Sequence, residues 1–416
     1  MKLDISKETE GIFILENNYY AGKIILSPNK PVRIIITTNI RIFGLNFKYK
    51  QIDRIIGSIK ETNERITILD GIIHESLWSS NGIIEYTIRA NVIIFGENIN
   101  KKNINIPNLH LMLPDLNDYF GNSLTKAIFN IKEKIVDLNI QYDKTISELN
   151  SFEFGFKVKI RAFYNIDKYN LRNKFDVKQL NSVVLEFKKS KDIYSSLKYV
   201  FLIETLLSFI FQRECTVDEV VYFKKNKTGS FNHIYFKHRI CNNDNSDKVL
   251  FERKYLIENL CKFIINWIKI TNQIKYLQYF MLHCYENKYI DQRIIAQVNL
   301  IEAFHRFYFG TKKDDTEIEA NIERIIPQIN SESDKRYVEN LIKSKNSYGL
   351  KRKINDILLK SKTIDFKKDE IEIIIKIRST LSHGGTNEII DLEKLAKLSK
   401  KLNVVIISII RNEIDK

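Results

Sequence analysis

Glycine and proline are scarce, at 14 and 5 in 416 residues. Long flexible linkers are therefore excluded, and the length predicts two or three domains with ample core. Cysteine is scarcer still. Cys215, Cys241, Cys261 and Cys284 contain no CxxC pair, which argues against a structural zinc site. Glycine-rich loops of the kind that cradle phosphates are missing, which argues against nucleotide hydrolysis. Long apolar runs are missing too. The longest, 199–211, is interrupted by Glu204 and is shorter than a bilayer requires. The first seven residues lack the apolar core of a signal peptide. These absences predict a cytoplasmic protein with no membrane partner and no cofactor or metal.

Basic charge is plentiful. Lys and Arg number 66 against 51 Asp and Glu, giving a formal net charge of +15 and a pI of about 9.3. A partner with a phosphate backbone would favour that balance. Abundant Ile, Lys and Asn would also follow from AT-rich coding, which requires no ligand.

The first half reads as strands. Short β-branched runs occupy 11–15, 21–26, 32–37 and 65–69, and 83–95 and 154–164 continue the pattern. In the last run Phe154, Phe156, Val158 and Ile160 share one face, and Lys157, Lys159 and Arg161 the other. A half-exposed antiparallel sheet is expected. A strand at 183–188, a helix at 190–212 and strands at 217–223 and 233–237 follow. The polar stretch 242–247 is the best domain boundary. Beyond it the periodicity is helical, with helices over 251–282, 291–309, 317–329, 335–345, 351–360 and 369–383, and a last one from Leu392. The fold class is α+β: a β-rich domain over 1–241, with a further break near 150, then an all-α bundle over 250–416.

One segment of that bundle carries chemistry. A stripe through Ile371, Ile374 and Ile375 continues to Arg378, so the guanidinium falls on the packed face and needs an anion or a polar cavity. His383 precedes Gly384 and Gly385, which places it at a helix C-terminus. Five helical residues span about 500° and about 7.5 Å, so the two side chains sit about 140° apart. They converge only at the helix end or through a second copy of the chain. Arg and His together suit RNA cleavage without a metal. His moves protons near neutral pH, Arg grips phosphate oxygens, and the ribose 2′-OH supplies the nucleophile. Spacing alone favours a capping His and a salt-bridged Arg, because Arg-x4-His occurs often by chance.

The arrangement Arg378-x4-His383 near the end of an all-α bundle resembles the Arg-x(4–6)-His signature of HEPN ribonucleases. The helix containing Leu300, Glu302, Ala303 and Arg306 is similar to the Leu-Glu-Ala-x-x-Arg helix of the ApeA-like HEPN group. Residues 203–209 and 215–220 resemble the end of the N-terminal domain found with it. This resemblance, loosely covering 150–416, implies an anti-phage, abortive-infection ribonuclease acting on RNA such as tRNA. It implies a sensing N-terminal domain that takes a phage protein ligand, and a homodimeric nuclease domain. Many HEPN proteins have Asn, Asp or His after the Arg; here Ser379 offers a hydroxyl to phosphate. The resemblance implies Arg378, His383 and Ser379 as the catalytic set. For Glu302 and Arg306 an intrahelical i, i+4 ion pair is the default, and orienting Arg378 or His383 is the alternative. His305 beside them is expected to be partly buried.

Other signals are weaker. Asp176, Glu186 and Lys188 have the order of a restriction-type Mg²⁺ nuclease, but acid-x-Lys on the wet face of a strand is common in so charged a chain. His233 and His238 lack a third ligand nearby. A HEPN bundle could also serve only to dimerise or to hold RNA.

Overall fold

The computed structural model describes residues 8–26, 32–39, 42, 50–78, 84–97, 99, 104–114, 116–117, 125–130, 135–140, 143–166, 177–217, 219–223, 231–236, 249–274, 277–278, 281, 289–310, 315–344, 348–383 and 391–416. The chain forms two compact units, Met1–Cys261 and Lys262–Lys416. The first is strand-rich and the second helical.

The first unit opens with β1 (Glu8–Leu15), β2 (Asn18–Ile25), β3 (Val32–Thr38), β4 (Lys50–Ile59), β5 (Arg65–Trp78), β6 (Ile84–Ala90) and β7 (Val92–Phe95). The hydrogen-bonded order β5-β4-β1-β2-β3-β6 returns to β5, so these six strands close into a barrel. Closure leaves no free edge inside the ring. Its core is the inward set of each alternation, including Phe13, Ile24, Ile34, Ile36, Ile66, Ile68 and Ile88. Phe13 needs bare backbone around it. A Cβ on Gly22 would lie 2.4 Å from the Ile35 carbonyl oxygen, and one on Gly57 would lie 2.5 Å from that of Ile12.

β5 is long enough to serve two partners. Ile66–Leu69 pairs with β7, and the stretch beyond Ile72 pairs with β6. The run 83–95 is thus two strands divided at Asn91, which share β5 but pair with β3 and β15 on their other sides. The sheet continues through β8 (Asn105–Met112), β11 (Asp143–Ser151), β12 (Phe156–Ile166), β13 (Val177–Asp192), β14 (Glu219–Phe223) and β15 (Phe231–Phe236), in the order β11-β12-β13-β8-β14-β15-β7. β9 (Thr125–Asn130) and β10 (Ile135–Ile140) form a separate hairpin. Every described pairing in the large sheet is antiparallel.

β4 and β8 escape a sequence reading. β4 carries Asp53 and Arg54 in mid-strand, and β8 contains Pro107. Pro107 is tolerated because the β8–β13 register shifts between Glu186 and Lys191, opposite it. Residue 150 lies inside β11, paired with β12, so the chain does not break there.

Helix α1 (Ile193–Phe211) is capped by Asp192, whose carboxylate accepts from the Ser195 N–H, and ends on a left-handed Gln212. Its 19 residues are long and apolar enough to cross a membrane by length and composition, which the run 199–211 had not suggested. It packs against β8 and β13 with Leu206, Leu207, Phe209 and Ile210 fully buried. Glu204 turns inward and accepts from the Val217 N–H.

Helix α2 (Arg253–Gln273) spans the division between the units, and the polar boundary 242–247 lies outside the described residues. The second unit continues with α3 (Ile290–Phe309), α4 (Asp315–Ile325), α5 (Glu332–Ser344), α6 (Leu350–Ser361), α7 (Lys368–His383) and α8 (Leu392–Ile414). α4 stops early because Pro327 converts the expected last turn to the 3₁₀ segment Ile326–Gln328. α3 is central and packs on α6, α7 and α8. Its stripe of Ile294, Val298, Ile301 and Phe304 is buried, as are Leu398, Leu402, Val405 and Ile409 of α8. Buried Gln297 and Ser399 satisfy each other across that interface, at 3.1 Å in both directions.

Candidate active site

α7 buries Ile371, Ile374 and Ile377. Arg378 follows Ile374 by one turn and therefore lies at the margin of that face. Its side chain is 36% exposed, and its Nη2 stands 3.5 Å from Oε2 of Glu302 on α3. The other Glu302 oxygen accepts from Lys353 Nζ on α6 at 2.8 Å. Glu302 and Lys353 are 17% and 18% exposed. A carboxylate this far from water needs partners, and cations from two other helices supply them. Arg306, expected as its intrahelical partner, is exposed and has no ion pair among the described residues. Attraction to shielded cations exceeds attraction to one in open water, because the effective dielectric is lower.

One turn further along α3, His305 is fully buried, more so than expected. Its Nε2 lies 3.0 Å from Oδ2 of Asp356 on α6, and its ring lies against Phe309 and Tyr348. Neither Lys353 nor Asp356 was visible as a partner in the sequence, since both contacts span 51 residues. Ser379 is exposed. His383 is the last residue of α7; its side chain lies outside the described residues.

α7 is held to α8 by Glu370, which accepts from Lys401 Nζ with both oxygens at 2.8 Å. Burial alone would raise the Glu370 carboxyl. The Lys401 hydrogen bonds, the Lys367 N–H and the two ammonium charges outweigh that effect and hold it below its ordinary value.

The restriction-type reading gains no support from the described residues. Glu186 is paired with Lys159 at 2.7 Å, Lys188 lies 4.6 Å over the Phe152 ring, and Asp176 is outside the described residues. His233 pairs with Glu219, and His238 is outside. Among the described residues no group of three His, Cys, Asp or Glu could hold a metal. Cys215 and Cys261 are buried and unbridged, and burial pushes the Cys261 thiol up to about 11. Cys241 and Cys284 are outside the described residues. On β12, Lys157 pairs with Glu148 as Lys159 does with Glu186, so the expected basic face is partly neutralised.

Residues 8–267 match the family described as ApeA N-terminal domain 1, and residues 295–416 match Apea-like HEPN. The chain belongs to the ApeA family. The resemblance drawn from Glu302, Arg378 and their neighbours is thereby established. The N-terminal match reaches into α2, and the HEPN match begins within α3 and contains Arg378 and His383. HEPN domains are generally nucleases, commonly dimerise and bind RNA, and ApeA proteins belong to anti-phage defence. No curated protein matches the chain. Among solved structures, apo MrkH of K. pneumonia aligns at 10% identity over 45% of this chain and 80% of that one. Its TM-score of 0.16 is too low to carry an argument.

Proposed function

We propose that the chain is a metal-independent endoribonuclease that cleaves cellular RNA such as tRNA when its N-terminal domain senses a phage protein. The observation that supports this best is the Glu302–Arg378 contact on the helix that ends at His383. A guanidinium tied at one nitrogen to a fixed carboxylate has restricted rotation, which suits a residue that must meet a developing phosphorane charge.

In this reading His383 takes the proton of a ribose 2′-OH. The 2′-oxygen attacks the adjacent phosphorus, and the bond to the 5′-oxygen breaks. The leaving oxygen takes that proton back from the His383 imidazolium, giving a 2′,3′-cyclic phosphate and a 5′-hydroxyl. Arg378 bears the charge on the non-bridging oxygens, and Ser379 donates a hydrogen bond to one of them. Glu302 orients Arg378.

A homodimer joined through the helical unit would place two Arg–His pairs in one cleft. Ile377 on the same helix is 4% exposed within a single chain and is not available for such an interface. The proposal therefore rests on the helix-end geometry and on the dimerising habit of HEPN domains.

Bulk tRNA incubated with the full-length chain in EDTA is expected to accumulate fragments with 5′-hydroxyl ends. Cleavage that stops in EDTA and returns with Mg²⁺ would overturn the proposal and revive Glu186 and Lys188. Intact tRNA under both conditions would favour the dimerising, RNA-holding role.

A further inference from the structure

Glu302 is shared unequally. Its contact to Lys353, at 2.8 Å, is shorter than its contact to Arg378, at 3.5 Å. The lysine ammonium occupies one carboxylate oxygen and leaves the other directed at the guanidinium. Glu302 and His305 lie three residues apart on α3, and Lys353 and Asp356 three apart on α6. Residues at that spacing share a helix face. The two contacts therefore form successive rungs between the same two helices, and Arg378 joins the upper rung from α7.

We infer that Lys353 is a positioning residue for Arg378, acting through Glu302, with the His305–Asp356 rung fixing the register of the two helices that present it. This deepens the nuclease reading and rests on Arg378 acting in it.

Helix adhesion alone does not call for this arrangement. An apolar pair of similar volume would hold α3 to α6 as well, because the desolvation of a shielded ion pair offsets much of its attraction. Sequestering a lysine also costs it rotamer freedom. What an apolar pair could not do is fix a carboxylate in one rotamer at the edge of α7. With Lys353 removed, Glu302 would lose the shorter of its two ion pairs, and its carboxylate could turn away from the position that meets Arg378. A displacement of about 1 Å in a charge-stabilising group costs roughly 100-fold in rate.

The test uses the full-length chain on bulk tRNA in EDTA, reading 5′-hydroxyl ends for kcat and KM, with melting temperature measured alongside. Lys353→Met is expected to lower kcat about 10- to 100-fold with KM nearly unchanged. Lys353→Arg should restore most of the loss, because it returns a cation to the same carboxylate. The decisive variant exchanges the rung, combining Glu302→Lys with Lys353→Glu. It keeps an ion pair between α3 and α6 but presents an ammonium to Arg378. It should melt above either single exchange and still fail to cleave.

An exchanged rung that cleaves like the unaltered chain would show a merely adhesive role and overturn the inference. So would Lys353→Met with undiminished kcat. Should the exchanged rung not fold, the contrast between Lys353→Met and Lys353→Arg decides the matter. Arg378→Ala serves as the control. If it cleaves normally, the nuclease reading of Arg378 fails and this inference falls with it. If Arg378→Ala is inactive while the exchanged rung is active, only this inference falls.

Discussion

Arg378 and His383 have opposite relations to the fold around them. Arg378 is at the margin of a buried face and tied to Glu302, whereas His383 closes a helix. His383→Ala is therefore expected to leave the melting temperature nearly unchanged and to reduce cleavage at least about 100-fold, the usual worth of a general acid–base group. Full cleavage by that variant would remove the proposed chemistry. Arg378→Ala should also inactivate, with a small loss of stability, because Glu302 keeps Lys353 as a partner. Glu186→Ala should leave cleavage intact, since its carboxylate is engaged with Lys159 on a neighbouring strand.

At the scale of elements, α7 is placed by its packed stripe and by ion pairs to neighbouring helices, of which Glu370–Lys401 at 2.8 Å is shorter than Arg378–Glu302 at 3.5 Å. Ile374 is fully buried, and Ile374→Ala should destabilise the helical unit by about 2–5 kcal/mol in chemical denaturation. The Glu370–Lys401 pair adds a pH dependence. The folded-state pKa of Glu370 is depressed below its ordinary 4.5, so its contribution is present above that value. It is lost as the pH falls through the lower, folded value. Thermal melts of the unaltered chain should therefore decline more steeply below about pH 4.5 than those of Lys401→Met. Parallel acid limbs in the two proteins would show that the pair contributes nothing measurable.

At the scale of the whole molecule, the question is how the two units divide the work. The β-rich unit holds no cluster among its described residues that fits the proposed chemistry, and in the proposed function it serves as the sensor. A fragment of 250–416, which keeps α2 whole, is expected to be soluble and to cleave bulk tRNA at least as fast as the full chain. A folded but inactive fragment would move part of the RNA site into the first unit. The full chain should sediment as a dimer at micromolar concentration, and a monomer would contradict the shared cleft. RNA binding should weaken steeply with added salt, because the chain carries +15 and phosphate contacts release counterions.

Local patterning carried much of this in the sequence. Periodicities of two and of about 3.6 determined the strand-rich first half, the helical second half and most helix limits, because burial of one face imposes those repeats regardless of what covers it. The same logic put Arg378 on the packed face, whereas the fold leaves it at the margin of that face, and residue identity placed His383 at a helix end. Tertiary structure alone decided the rest. Barrel closure depends on β5 pairing with both β4 and β6, and Pro107 fits a strand only because its partner shifts register. Sequence spacing favoured Arg306 as the companion of Glu302, yet the carboxylate turned to Lys353 and Arg378. Ion pairing follows distance and shielding from water, and neither is local in the chain.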